Sequence, residues 1–276
     1  MKLKKILPIM AALLLTITAC SEQRYKLSTE DLTPRFSTAP TTRMHDATWN
    51  DGDEIGISMI KNGEEIANKS NHRYKIEGTD VKPSGEALTY PVDESEVDII
   101  AYYPYQSEIQ EANYKIDLAD QSDFTKIDLI YSNNAKRKKA GEKDIELTFS
   151  HQLIELNINV KTTDTEDEVG IEIYTATEGE FNLLTGKLTP DENSKAVITT
   201  NNEHKAFVMP GTEIEIRFTL SDKTVKRTIS ASQLQAGTRH KLNLTIKSNG
   251  DTHEVTEGIQ PDEVEIFDEL TTGKQL

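Results

Sequence analysis

The sequence is poor in cysteine and in aromatic residues, and its 31 basic residues are outnumbered by 47 acidic ones. Of its 276 residues, one is a cysteine and one is a tryptophan, and aromatic residues make up 6%. A single cysteine excludes an intramolecular disulfide, so the fold must be held by burial of apolar surface. The formal net charge of −16 disfavours binding to nucleic acid or to an anionic lipid surface, because both repel a strongly acidic chain.

Motifs that carry catalysis or metal binding are also absent from the sequence. None of the six histidines lies three or four residues from another, and there is no His-Glu-x-x-His zinc motif. The chain has neither a Gly-x-Ser-x-Gly nucleophile elbow nor a glycine-rich phosphate loop. The sequence therefore predicts no catalytic residue, no metal site and no cofactor, and it does not indicate an enzyme.

The first twenty residues have the features of a bacterial lipoprotein signal. Lys2, Lys4 and Lys5 precede an apolar run over residues 6–17, and Ile-Thr-Ala then leads into Cys20. Such a segment is a processing signal and is shorter than a membrane-spanning helix. We expect cleavage before Cys20 and attachment of acyl chains, palmitate among them, which would hold the protein at the outer membrane or cell surface. The alternatives are an ordinary secretory signal with a chance cysteine, or an anchor that is not cleaved.

From Trp49 onward, short runs alternate apolar and polar residues, which is the period of a β-strand. Residues 55–59, 97–103, 153–160 and 213–220 are examples, and turn residues such as Asn62-Gly63 and Pro210-Gly211 separate such runs. No stretch shows a sustained helical stripe. Many short strands at this spacing are typical of antiparallel sandwiches.

The sequence therefore predicts an all-β protein with two tandem antiparallel Greek-key β-sandwich domains after a lipoprotein signal and a polar tether. The boundary between the domains is placed just after a polar break at residues 133–143, which contains the basic run Lys136–Lys139. The predicted divisions are a signal peptide at 1–19, a lipidated tether or cleavable N-terminal segment at 20–46, an N-terminal sandwich at 47–145, a C-terminal sandwich at 146–248 and an acidic tail at 249–276.

Four sequence strings, in this order along the chain, are typical of one protein family. The first, at residues 43–56, is an arginine, then the tryptophan, then Gly-Asp-x-Ile-Gly; the second is the tyrosine-proline corner at 101–105. The third is the Phe-x-His-x-Leu strand at 149–153. The fourth is Phe-Val-Met-Pro-Gly at 207–211, followed by the start of a strand at 236–242. Together they resemble the fimbrillin family of Bacteroidales, the fimbrillin-A-like and Mfa-like proteins of type V pili, over roughly residues 36 to 247.

The resemblance implies a structural role in a surface pilus and a way of assembling. A surface protease would cut after an arginine of the N-terminal region, here Arg43 or, second, Arg35. Removal of that segment would take away a β-strand, and an extended strand of another pilus subunit, of the same or a related kind, would fill the groove by strand addition. An arginine in a linker that is never cut is the alternative.

The acidic tail contains one apolar run, which includes Val264, Ile266 and Phe267. This run could be a donor strand for a neighbouring subunit, an added edge strand of its own sheet, or part of a disordered acidic end. A different function also stays open, namely a lipid-anchored protein that binds glycans on a sandwich face. Exposed tyrosines at positions 102, 103 and 105 would then form the stacking platform.

Overall fold

The computed structural model describes residues 28–38, 49–93, 95–163, 169–220, 223–249, 252–257 and 264–266. Within these ranges the chain forms one four-residue helix, α1 (Thr29–Leu32), three short 3-10 turns and 21 strands. No helix among these residues is long and apolar enough to cross a membrane. The prediction of an all-β fold is confirmed, whereas the tandem Greek-key connectivity stays a prediction.

Ten of these strands precede residue 152, and eleven follow it. The first ten are β1 (Arg35–Thr38), β2 (Glu54–Lys61), β3 (Glu64–Glu65), β4 (His72–Glu77), β5 (Asp80–Pro83), β6 (Val97–Tyr103), β7 (Asn113–Asp117), β8 (Ile130–Lys138), β9 (Asp144–Leu147) and β10 (Ser150–His151). The others are β11 (Ile154–Thr163), β12 (Val169–Ala176), β13 (Glu178–Asn182), β14 (Lys187–Pro190), β15 (Lys195–Thr199), β16 (Lys205–Val208), β17 (Ile214–Leu220), β18 (Lys223–Ile229), β19 (Thr238–Asn249), β20 (Thr252–Glu257) and β21 (Val264–Ile266).

A nine-stranded sheet forms most of the N-terminal half and is strongly curled. Its strand order is β10-β8-β6-β2-β4-β5-β1-β9, with β3 beside β2. Seven strand spacings would separate β10 from β9 by about 34 Å if the sheet were flat. Only Thr148 and Phe149 connect these two strands, and that link reaches at most about 11 Å. The two edges must therefore lie close together, and we call this sheet the curled sheet.

The side chain of Asn134 joins the two edges of the curled sheet. From β8 its Nδ2 donates to the carbonyl oxygen of Glu146 at 2.9 Å, and its Oδ1 accepts from the amide of Thr148 at 3.0 Å. Asn134 thus supplies both a donor and an acceptor, as the backbone of a neighbouring strand would. It closes the gap beside β9 without a further strand.

The strand β6 of the curled sheet is buried on both faces. In β6, Ile99 and Tyr103 point into the core enclosed by the curled sheet, while Ile100 and Tyr102 point to the opposite face. Because both faces of β6 are buried, its sequence is almost continuously apolar and does not alternate with charged residues. Gly56 of β2 leaves room for the Tyr102 ring, because a Cβ at that position would lie under 3.0 Å from three atoms of the tyrosine side chain.

The C-terminal half is a sandwich of two sheets. The order β15-β12-β17-β18 forms one sheet, and β16-β11-β19-β20 forms the other, with β21 also on β19. The inward residues of both sheets form one buried cluster, which includes Leu156 and Ile158 of β11 and Ile173 and Ile216 of the opposite sheet. Face-to-face packing of this kind is the arrangement of a β-sandwich.

One ion pair of the C-terminal half has a fully buried carboxylate. Glu155 of β11 is fully buried, and its carboxylate accepts two hydrogen bonds from the guanidinium of Arg239 on β19, the longer of them 3.1 Å. The two residues are register partners in the parallel β11–β19 ladder. A bidentate pair of this kind offsets the cost of burying the carboxylate.

A three-stranded sheet joins the two halves of the chain. It has the order β14-β13-β7, and residues 178–182 of β13 pair with residues 113–117 of β7. Its side chains share a core cluster with both halves, including Tyr102, Phe181 and Phe207. The halves are therefore in contact through a continuous ladder and a common core.

Two segments differ from what their composition suggests. Residues 28–38 lie in the predicted tether, yet they form α1 and β1, because Phe36 and Thr38 alternate with polar neighbours and are buried. Residues 133–138, predicted to be part of a polar break, continue β8, and their basic side chains pair with acids such as Asp98 and Glu96. The domain boundary at residues 145 and 146 stays a prediction.

Candidate functional site

The strand β1 lies inside the curled sheet, between β5 and β9. It runs antiparallel to β5, with Phe36 opposite Val81, and parallel to β9, with Phe36 opposite Ile145. The amide of Arg35 donates to the carbonyl oxygen of Lys143 at 2.5 Å, and that of Thr38 donates to the carbonyl oxygen of Thr79 at 2.9 Å. A four-residue strand from the N-terminal segment thus completes the wall of this sheet.

The inward face of β1 consists of two side chains, Phe36 and Thr38, which are 4% and 3% exposed. The Phe36 ring packs edge to face on Tyr74, with 5.4 Å between the ring centroids. A depression of about 300 Å³ opens beside this contact and is lined by Phe36, Tyr74, Val81 and other residues of β1 and β5. Most of the contact between β1 and the core is therefore made by a single aromatic ring.

Ion pairs to residues 143 and 144 hold the outward face of β1 and the helix before it. Arg35 pairs with Asp144 at 2.8 Å, and both side chains are more than two-thirds exposed. Lys143 contacts Glu30 at 3.0 Å and Asp31 at 3.4 Å, and the hydrogen bond to Glu30 is the main reason that its pKa is raised. Exposed pairs contribute little free energy each, because water and salt screen them.

The chain is fixed on both sides of residues 39–48. Before this segment Thr38 is buried, and after it Trp49 packs edge to face on Tyr103 and Phe149, with centroid distances of 5.6 and 5.1 Å. The predicted cleavage position Arg43 lies between these anchors and outside the described residues, and Cys20 also lies outside them. The other predicted position, Arg35, lies in β1, so the Arg35–Phe36 peptide bond is part of a sheet.

The tail strand β21 is placed on the edge of its own C-terminal sheet. Val264 is opposite His240 and Ile266 is opposite Thr238 on β19. This is the added-edge-strand arrangement, one of the three alternatives that the sequence leaves open. Phe267 lies outside the described residues. Burial lowers the pKa of His240, whose Nε2 lies 2.9 Å from the Thr238 hydroxyl.

The tyrosines considered for a glycan platform are not displayed together. Tyr102 and Tyr103 are 1% and 5% exposed, and both point into cores. Tyr105 is half-buried and lies under the guanidinium of Arg73. Among the described residues, no group of three or more histidine, cysteine or acidic side chains could hold a metal ion.

Sequence reasoning did not identify two residues of this region. Tyr74, which receives the Phe36 ring, lies in β4, whose pattern of charged and apolar residues alternates but is short. Asn134 closes the curled sheet through its side chain, and nothing in its local sequence distinguishes it from a loop asparagine. Both roles depend on contacts between distant parts of the chain, which a local pattern does not reveal.

Comparison with known proteins gives a consistent result. The sequence model of the family described as Fimbrillin-like matches residues 42–266. A Bacteroides uniformis protein named as fimbrium subunit Fim1C is 30% identical over 158 residues, which is 52% of each chain. The chain therefore spans about half the length of this relative.

Solved structures show the same fold. A cell adhesion protein from Bacteroides uniformis has a TM-score of 0.67 and 23% identity, over 86% of this chain and 97% of that one. A cell adhesion protein from Bacteroides ovatus has a TM-score of 0.59 and 19% identity, over 82% of this chain and 96% of that one. At these identities the likeness concerns the fold.

Proposed function

Because the chain belongs to the Fimbrillin-like family, we propose that it is a structural subunit or accessory of a cell-surface fimbria and acts in adhesion. The protein would work by assembling with other fimbrial subunits and not by catalysis. The proposed location is the outer membrane or cell surface, with acyl chains on Cys20 as the anchor. After processing, the protein would become part of the fimbria.

The proposed assembly step is protease-triggered strand exchange. The observation that carries it is the position of β1, which lies between β5 and β9 but is connected to the rest of the chain only through residues 39–48. A cut after Arg43 would leave β1 held by noncovalent contacts alone, namely hydrogen bonds, side-chain packing and ion pairs. Its departure would expose two rows of backbone groups, to which an extended strand could add.

Arg43 is the better of the two predicted cleavage positions. A protease binds its substrate as an extended, accessible chain, and the Arg35–Phe36 bond is in a strand that is paired on both sides. Cleavage there would also divide β1 itself. In this proposal, Arg35 serves the strand through its pair with Asp144.

The tail is the proposed source of the incoming strand. Val264, Ile266 and Phe267 supply apolar side chains, and the first two already lie at strand spacing in a three-residue strand at a sheet edge. A short edge strand has few contacts to break, so it can leave its own sheet at low cost. The donor would then insert into the groove of a neighbouring subunit.

An arginine-specific protease tests this proposal. The expected result is a single new N-terminus at residue 44, followed by oligomers that resist denaturant. The variant Arg43→Ala should give no new N-terminus at residue 44 and should remain monomeric. The variant Arg35→Ala, which removes the second predicted position, should still be cut after Arg43 and assemble. A protein that is cut after Arg43 but stays monomeric, with its N-terminal segment bound, would contradict strand exchange.

A further inference from the structure

The inward position at the end of β1 holds a polar group that has no partner within the described part of the chain. The Thr38 hydroxyl is buried, and among the described residues it makes no hydrogen bond. Two similarly buried threonines elsewhere do make such bonds, since Thr177 donates to Ser194 and Thr238 donates to Gln235. A buried hydroxyl without a partner weakens the fit of the strand that carries it.

The surroundings of Thr38 are suited to an apolar side chain. Its register partner on β9 is Leu147, and the inward residue two positions earlier is Phe36. Both belong to the core cluster enclosed by the curled sheet, and both are almost completely buried. Valine has the shape of threonine with a methyl group in place of the hydroxyl, so it would fill the same space without the unpaired polar atom.

This inference rests on the proposed strand exchange. We infer that Thr38 allows another strand to replace β1. We also infer that a strand which fits the groove between β5 and β9 better has valine or isoleucine at the position that Thr38 occupies. A replacing strand makes the same kind of backbone hydrogen bonds as β1, so these bonds favour neither occupant. The difference must come from the inward side chains. The groove therefore selects an extended segment with a large apolar residue, one intervening residue and then a β-branched apolar residue.

Competition between peptides tests this inference. The protein carries Arg24→Lys, so that an arginine-specific protease does not separate the label from β1. It is prepared without acyl chains, labelled with a fluorophore at Cys20, its only cysteine, and cut after Arg43; the protease is then inhibited. Release of the labelled segment is followed by fluorescence anisotropy while a peptide spanning residues 33–40 is added. Three such peptides are compared. One has the natural sequence, one has valine in place of Thr38, and one has valine in place of the outward Ser37.

We expect the Thr38→Val peptide to bind roughly tenfold more tightly than the natural one, and the Ser37→Val peptide to bind within about twofold of it. In the protein, Thr38→Val should slow release of the segment by a similar factor. Thr175→Val is the matched control, because the Thr175 hydroxyl on β12 is also buried and unpaired within the described part of the chain. It should leave release unchanged.

The outcomes separate this inference from the proposed function. If all peptides displace the segment and the natural and Thr38→Val peptides bind equally, the inference is wrong while strand exchange stands. If no peptide displaces the segment and it stays bound after the cut, both are wrong. Slower release in the Thr175→Val protein would also overturn the inference, since the effect would then be one of general stability.

Discussion

Replacing Phe36 by alanine measures how strongly β1 is held in the curled sheet. The ring is 4% exposed and packs on Tyr74, so the substitution removes nearly all of its buried surface and leaves a cavity. Phe→Ala changes at such sites cost about 3–5 kcal/mol. We expect a loss of about 3 kcal/mol in the free energy of unfolding, at the low end of that range, because a four-residue strand can detach locally and limit the loss.

Urea unfolding followed by fluorescence suits this measurement, because Trp49 is the only tryptophan and packs against the same core. The control is Arg35→Ala, which removes an exposed ion pair on the same strand and should cost at most about 1 kcal/mol. If Phe36→Ala is no more destabilising than Arg35→Ala, then β1 does not contribute to the core, and the reasoning is refuted.

Three further predictions concern other parts of the fold. Gly56→Ala should destabilise by about 1–3 kcal/mol in thermal unfolding, because the new methyl group would collide with the Tyr102 ring. Asn134→Ala should speed amide hydrogen exchange at Thr148, directly after β9, because the Thr148 amide donates to the Asn134 side chain. The free energy of unfolding should fall as pH rises from 10 towards 12, because burial raises the pKa of Tyr131 in the folded protein from 10.0 to about 12. The stability that Tyr131 contributes is fully present below the pKa of the unfolded chain and is lost as pH rises through the pKa of the folded protein.

Each of these predictions has a control. Gly85→Ala has no atom within 4 Å of the new Cβ and should be nearly neutral, and an equal loss at both glycines would contradict the collision. Unchanged exchange at Thr148 after Asn134→Ala would mean that the side chain does not hold this edge. For alkaline unfolding, Tyr131→Phe should reduce the slope of stability against pH in this alkaline range, and an unchanged slope would exclude Tyr131 as a cause.

The sequence predicts most of the strands that have a clear alternation of apolar and polar residues. Residues 55–59 and 97–103 lie in β2 and β6, and all but the first of residues 213–220 lie in β17. The strands β13 and β14 are not apparent, because they have few apolar residues and depend on pairing with β7, far earlier in the chain. Tertiary pairing, more than local preference, determines these elements.

The sequence identifies the segments that form the candidate site but not how they are arranged in the fold. The N-terminal segment and the tail are both identified by composition and by resemblance to a family, but the position of β1 inside a sheet is not. Its four residues are flanked by polar sequence, and only Phe36 stands out. The unpaired hydroxyl of Thr38 becomes visible only when its neighbours across the sheet are known.

The pairing of β13 with β7 determines how the molecule would respond to a pulling force. The chain passes from the N-terminal half to the C-terminal half near residue 152, returns to pair β13 with β7, and then leaves again through β14. A pulling force applied between the two halves would therefore act on a ladder of paired strands and a shared core as well as on one peptide connection. The two halves would therefore resist tension as one unit and would not move independently about a flexible linker.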